Sequence, residues 1–280
     1  MTLGSWPQRH PLLAYFGLTY VISWGGIALV LGATGFDLVN LRPLDTGLIF
    51  VSMLLGPSVS GLVMTARLQG RAGLRRLWSS LARWQVGARW YALALLIMPA
   101  LFLGVLWPLT AFLDPAFAPS FKWQLFAIGL VAGSFEEIGW TGFATPRLLA
   151  GQQLFMAGLS LGLGWALWHA LVDVRQNFNT MGIAWLLEFA VFYLAALTAY
   201  RVLITWVYAN THSLILAVLM HASYTGWLVV LYPTTSFGQG LVWQSAFAVA
   251  LWLVVAVVMV GPVHHKRLPD ASASCSVDEH

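Results

Sequence analysis

The sequence predicts an all-α, polytopic membrane protein: a bundle of about eight transmembrane helices. Composition gives the first reason. Only 9% of the 280 residues are charged and 59% are hydrophobic, with 15 Trp and a mean hydropathy of +0.78. A soluble domain carries roughly a quarter charged residues, enough to wet its whole surface. The second reason is that apolar runs of spanning length recur along nearly the whole chain. The third is an arginine-rich connection without a single acid, the mark of a cytoplasmic loop.

A spanning helix needs roughly 20 mostly apolar residues. Candidate spans run over 12–34, 46–67, 88–112, 122–145, 153–172, 182–207, 212–232 and 241–262, the fourth and sixth containing charge. Residues 1–262 then form one transmembrane domain, and 263–280 a polar cytoplasmic tail with the composition of a disordered segment. Between the second and third spans lie Arg67, Arg71, Arg75, Arg76, Arg83 and Arg89. With that loop inside and eight spans, both termini are cytoplasmic, in keeping with Arg9 and with His264, His265, Lys266 and Arg267. Loops 35–45 and 113–121 fall outside, with Asp37, Asp45 and Asp114 against Arg42.

The net charge of +4 is therefore a topology signal, and nothing in the chain has the pattern of a nucleic-acid binder. The stretch "RLQGRAGLRRLWSSLARWQVGARW" reads as a segment lying along the membrane surface, Leu and Trp toward lipid and Arg toward headgroups. Cys275, in the tail, excludes an internal disulfide, and five residues follow it, so the tail is not a prenylation box. The first span has no small-residue cleavage site and reads as retained.

Against this background "GSFEEIGWTGF" places Glu136 and Glu137 inside the fourth span. One carboxylate at the bilayer centre costs about 2.5–3.5 kcal/mol on insertion scales, and two unpaired ones about 5–7. That approaches a protein's entire net stability, so partners are required. The candidates near or within spans are His169, His221, Glu188, Arg201 and Asp173. Residues four apart share a helix face, which puts Glu136 with Trp140, Glu137 with Thr141, Trp165 with His169, and His221 with Thr225. The glutamates themselves point about 100° apart and need not share a role. Blander readings exist for each. The glutamate pair can be a buried ion pair between helices, a membrane histidine a helix–helix hydrogen bond, and Thr225 a hydroxyl bonded to its own backbone. Asp173 and Arg175 suit an interfacial span end, and Arg147 a cytoplasmic-edge charge.

Three stretches, "EEIGWTGFATPRL", "GLGWALWHA" and "WVYANTHSLILAVLMHASYT", resemble the successive motifs of the CPBP family, the CAAX-protease and bacteriocin-processing group also called Abi. The resemblance extends over roughly 50–230. It implies an intramembrane glutamate endopeptidase in a bacterial plasma membrane, acting on membrane protein or peptide substrates without a required cofactor. By position, Glu136 matches the glutamate that activates water, and His169 the histidine that helps hold it. His221 matches the histidine that stabilises the oxyanion, and Glu137 the supporting second glutamate. Two positions depart: the family has Arg where this chain has Thr141, and Asn where it has Thr225. Thr141 can donate one hydrogen bond to Glu137, or Arg201 can reach in from another helix; Thr225 offers a hydroxyl in place of an amide. Trp140 and Trp165 wall the site.

Other readings stand beside this one. Glu136, His169 and His221 are ordinary zinc ligand types, though scattered over three spans with no HExxH helix. An inactive relative serving as an immunity or scaffold protein fits the two threonines. A transporter relaying protons through Glu and His would need substrate-coupled proton flux, and the chain shows no repeat of the kind many transporters have.

Overall fold

The computed structural model describes residues 6–35 and 40–260, apart from the side chains of 175–180. Asp37, the His264–Arg267 cluster, Cys275 and the rest of the tail lie outside the described residues, as does the side chain of Arg175. After a short turn of helix at Trp6–Arg9, α1 spans Pro11–Ala33, α2 Pro43–Leu81 and α3 Ala88–Phe112. Next come α4 (Phe126–Gly139), a π-helical turn (Trp140–Ala144) and α5 (Thr145–Gly151), without a loop between them. α6 covers Leu154–Met181. A 3₁₀ turn, one α turn and a π-helical stretch (Phe189–Leu197) lead into α7 (Thr198–Thr211), followed by α8 (Leu214–Leu231) and α9 (Phe237–Val260). Among the described residues there is no strand.

Among the described residues, seven helices are long and apolar enough to cross a membrane: 11–33, 43–81, 88–112, 154–174, 182–211, 214–231 and 237–260. The remaining expected span, 122–145, is the one bearing the glutamate pair, and it is not one α-helix. Pro146 has no N–H to give the preceding turn, and Thr145 bonds both its N–H and its hydroxyl (2.9 Å) to the carbonyl of Trp140. The wider turn takes up the slack, and Phe126–Gly151 continues as one helical run of roughly 35–40 Å, longer than a hydrocarbon core. The second span also runs further than expected. It breaks only at Gly70, whose φ of 58° and ψ of −152° bend the arginine-bearing end away from the spanning part.

The long helices turn Leu, Val and Ile outward, with Leu29, Leu96, Val249, Leu253 and Val257 all more than half exposed. Trp140, Trp165, Trp168 and Trp243 are fully buried. Apolar side chains facing outward along the spans are expected where lipid is the solvent.

Glycine sets how closely the central helices approach. A Cβ on Gly129 would meet the carbonyl oxygen of Thr225 at 2.6 Å, and one on Gly133 would meet the backbone of His221 and Ala222 at 2.6 Å. These two glycines, four apart, let α8 lie directly on α4, a small-residue contact typical of membrane helices. On the other side of the run, Gly139 sits against the carbonyl of Pro57 in α2, and Ser58 donates to the carbonyl of Phe135 (2.6 Å). Gly158 and Gly162 bring α6 onto α7 in the same way.

Hydrogen bonds tie the connections into two opposite ends. At one, Ser80 donates to the His212 carbonyl (2.9 Å) and Ser213 to the Arg83 carbonyl (2.6 Å), so the arginine-rich loop meets the α7–α8 turn. At the other, Ser120 donates to the Tyr232 carbonyl (2.6 Å), Lys122 N–H to Val230 (3.0 Å), and Gln239 to Asp114 (2.8 Å).

Gly133→Ala should therefore push α8 off α4 and destabilise by about 1–3 kcal/mol, the usual cost of overpacking. Gly104→Ala, with nothing within 4 Å of the added carbon, should not. Thermal unfolding in detergent checks this: a lowered midpoint for the first variant alone is expected, and equal midpoints would contradict the packing.

Candidate active site

Glu137 is fully buried, and both of its oxygens are engaged. Oε2 accepts from the Arg201 guanidinium at 2.9 Å and from the Thr141 hydroxyl. Oε1 lies 2.7 Å from Nδ1 of His221. The carboxylate thus joins α4 to α7 and α8, with Thr141 closing the group from one turn further along its own helical run. Both partners that the sequence offers Glu137 are present together: the local hydroxyl, and a guanidinium brought from another helix.

Arg201 is itself fully buried and lies over the Trp165 ring, 4.0 Å from the centroid. The cation is met by a carboxylate on one side and an aromatic face on the other, a pairing that offsets its desolvation. The neighbouring π-helical stretch, Phe189–Leu197, adjusts the phase of this helix just before Arg201. Such bulges are frequent beside functional sites.

Glu136 faces differently. Its Oε2 accepts from the indole N–H of Trp165 at 2.9 Å and of Trp140 at 3.2 Å, and among the described residues it forms no salt bridge. The two tryptophans, expected as walls, also hold the carboxylate by hydrogen bonds. Sequence periodicity could have flagged Trp140, four residues on; Trp165 comes from another helix and carries no such signal.

Glu136 lines a cavity of about 270 Å³ together with Trp165, Trp168 and His169 of α6, His221 and Thr225 of α8, and mostly apolar side chains. The acid and the two histidines thus border one space, as the sequence motifs imply. His169 is half-buried, its ring packed on Trp168 (4.8 Å) and Tyr193 (5.2 Å). His221 stands edge-on to Trp165 at 4.9 Å. Thr225 lines the same cavity, but its hydroxyl donates to the Gly129 carbonyl at 2.5 Å, so a role as donor to a ligand requires it to turn away. Among the described residues, no three His, Cys, Asp or Glu side chains gather at metal-ligating spacing.

The arrangement separates two adjacent carboxylates by environment. One is neutralised and locked by four helical segments; the other is held through neutral N–H donors at the edge of a cavity. A carboxylate of the second kind can exchange a proton with whatever enters.

Residues 118–227 match the family of type II CAAX prenyl endopeptidases, Rce1-like. Over 108 residues the chain is 31% identical to CAAX prenyl protease 2 of Methanococcus maripaludis, a stretch covering 38% of this chain and 40% of that protein. The match spans about two fifths of the curated relative's length. The family match is narrower than 50–230, yet it contains every side chain of the cluster and the acid–histidine cavity rim described above.

Because Arg201 already fills the place beside Glu137, Thr141→Arg should crowd a second guanidinium into a dry site and destabilise the protein. Arg201→Met should cost about 3–5 kcal/mol, the penalty of leaving a buried charge without its partner. Combining the two should recover part of that loss, since the arginine at 141 then has Glu137 to itself. Unfolding midpoints of the three variants check this; additive losses would contradict it.

Proposed function

With residues 118–227 a domain of the CAAX protease (CPBP) family as the premise, we propose that the chain is an intramembrane glutamate endopeptidase. It hydrolyses peptide bonds of membrane-associated proteins. The observation that carries this reading is the division of labour between the glutamates: Glu137 is bound up with Arg201 and His221, while Glu136 faces the cavity with only indole donors.

The steps follow from general acid–base chemistry. Water enters beside Glu136 and His169. Glu136 takes one of its protons as the oxygen attacks the scissile carbonyl, and His169 keeps that water oriented. The carbonyl oxygen gains the negative charge and is met by Nε2–H of His221. The contact between Nδ1 of His221 and Glu137 holds that ring in place beside the cavity. Glu136 then gives its proton to the departing amide nitrogen as the C–N bond breaks, leaving a carboxyl and an amine product. A single oxyanion donor is worth about 2.7–4 kcal/mol in such sites. Thr225 supplies a second one if its hydroxyl turns from Gly129.

No step requires a metal, so exhaustive chelation should leave the activity intact. The tightly held Glu137 also suits the rival reading of a non-catalytic scaffold, in which the whole group serves stability alone.

Purified protein in detergent, offered membrane-proximal peptides, separates the two. The parent should cleave, and Glu136→Gln and His169→Ala should each lose more than about a hundredfold while still folding. Equal cleavage by the parent and Glu136→Gln would contradict the catalytic assignment, and loss on chelation would favour zinc at Glu136, His169 and His221.

A further inference from the structure

Positive charge collects at the end of the bundle where Ser80 bonds the His212 carbonyl, with Arg71, Arg75, Arg76, Arg83, Arg89 and Arg147. Among the described residues none of these six forms a salt bridge. The chain has no Asp or Glu from 46 to 113 or from 138 to 172. Two of the six come from different helices and meet. Arg147 belongs to α5, just after the π-helical turn. Its guanidinium carbon lies 3.6 Å from the centroid of the Phe143 ring, and Nη1 donates to the Phe143 carbonyl at 2.8 Å. These contacts hold a half-buried cation in place while engaging only one of its five N–H donors.

α2 brings the second charge. Beyond the bend at Gly70 it packs through Leu77 onto Gly142, where an added Cβ would meet Leu77 Cδ1 at 2.5 Å. Arg76, exposed and next to Leu77, is thereby near enough to Arg147 for the two charges to repel. Partly burying one guanidinium beside another is unfavourable unless an anion comes between them. The same segment also marks a depth. Trp78 and Trp84 are at least half exposed among the arginines, a composition that suits the headgroup layer of a membrane. We propose that Arg76 and Arg147 form a clamp for a phosphate, presented by the headgroup of an anionic phospholipid bordering the bundle. A guanidinium fork matches two phosphate oxygens, and forks from two helices can grip a phosphodiester from two sides. A zwitterionic headgroup carries its own cation, which the unneutralised arginines repel, so a headgroup of net negative charge fits better. Because Arg147 lies on the helical run that bears Glu136 and Glu137, a bound headgroup ties α2 to that run.

Native mass spectrometry of the full chain in detergent tests this, with phosphatidylglycerol and phosphatidylcholine as probes. The parent should hold phosphatidylglycerol at least about tenfold more tightly. Arg76→Gln and Arg147→Gln should each abolish most of that preference, and the double variant should lose little more. Arg89→Gln removes the same charge from the same end and should keep the preference. Should Arg147→Gln fail to fold, Arg147→Lys retains the charge without the fork and should bind phosphatidylglycerol more weakly than the parent. No preference in the parent, its retention in both Arg76→Gln and the folded Arg147 variant, or an equal loss in Arg89→Gln overturns the clamp. Inorganic phosphate in large excess should displace little of the lipid. Complete displacement would assign the clamp to free phosphate and overturn the lipid assignment.

Discussion

A single buried carboxylate organises the centre of this protein. Glu137 is fully buried, and in a low-dielectric interior an unpaired charge is far more costly than at a soluble protein's surface. Its satisfaction requires Arg201 from α7, His221 from α8 and Thr141 from its own run to arrive together. That requirement propagates outward. The glycines at 129 and 133 exist where α8 must come close, and those at 158 and 162 where α6 must lie on α7. The π-helical turns after Gly139 and before Thr198 set the phase at which Thr141 and Arg201 project.

The same constraint gives Glu136 its different character. Two adjacent residues on a helix cannot face one direction, so fixing Glu137 in the dry cluster turns its neighbour toward Trp165 and the cavity. Hydrogen bonds from two indoles hold that second carboxylate without neutralising it. Meanwhile Glu137 holds Nδ1 of His221, whose side chain lines the same cavity. The catalytic proposal thus depends on a residue that need never touch substrate.

Much of this was legible in the chain. Hydropathy and charge asymmetry identify a polytopic helical bundle, because lipid forces each span to declare itself by composition. The glutamates stood out for the same reason, and the cost of burying them pointed to Arg201 and His221 among a short set of partners. What stayed hidden depends on distant backbone. "GLVAG" at 129–133 and "GLSLG" at 158–162 are close-approach signals, but which helix each one meets is a tertiary fact. The bond from Trp165 to Glu136, and the diversion of the Thr225 hydroxyl to Gly129, likewise arise only when α4 is seated against α6 and α8. The fourth span, expected as a plain helix, broke its pattern where Pro146 leaves a turn short of a donor.

The account rests on the two glutamates having opposite duties, and unfolding measurements on matched neutral variants ask this most directly. Glu137→Gln should lower the unfolding midpoint by many degrees, since it strands Arg201 in a dry interior. Glu136→Gln, which keeps an acceptor for both indoles, should unfold at or near the parental midpoint. Equal losses for the two, or the greater loss at 136, would contradict the claim.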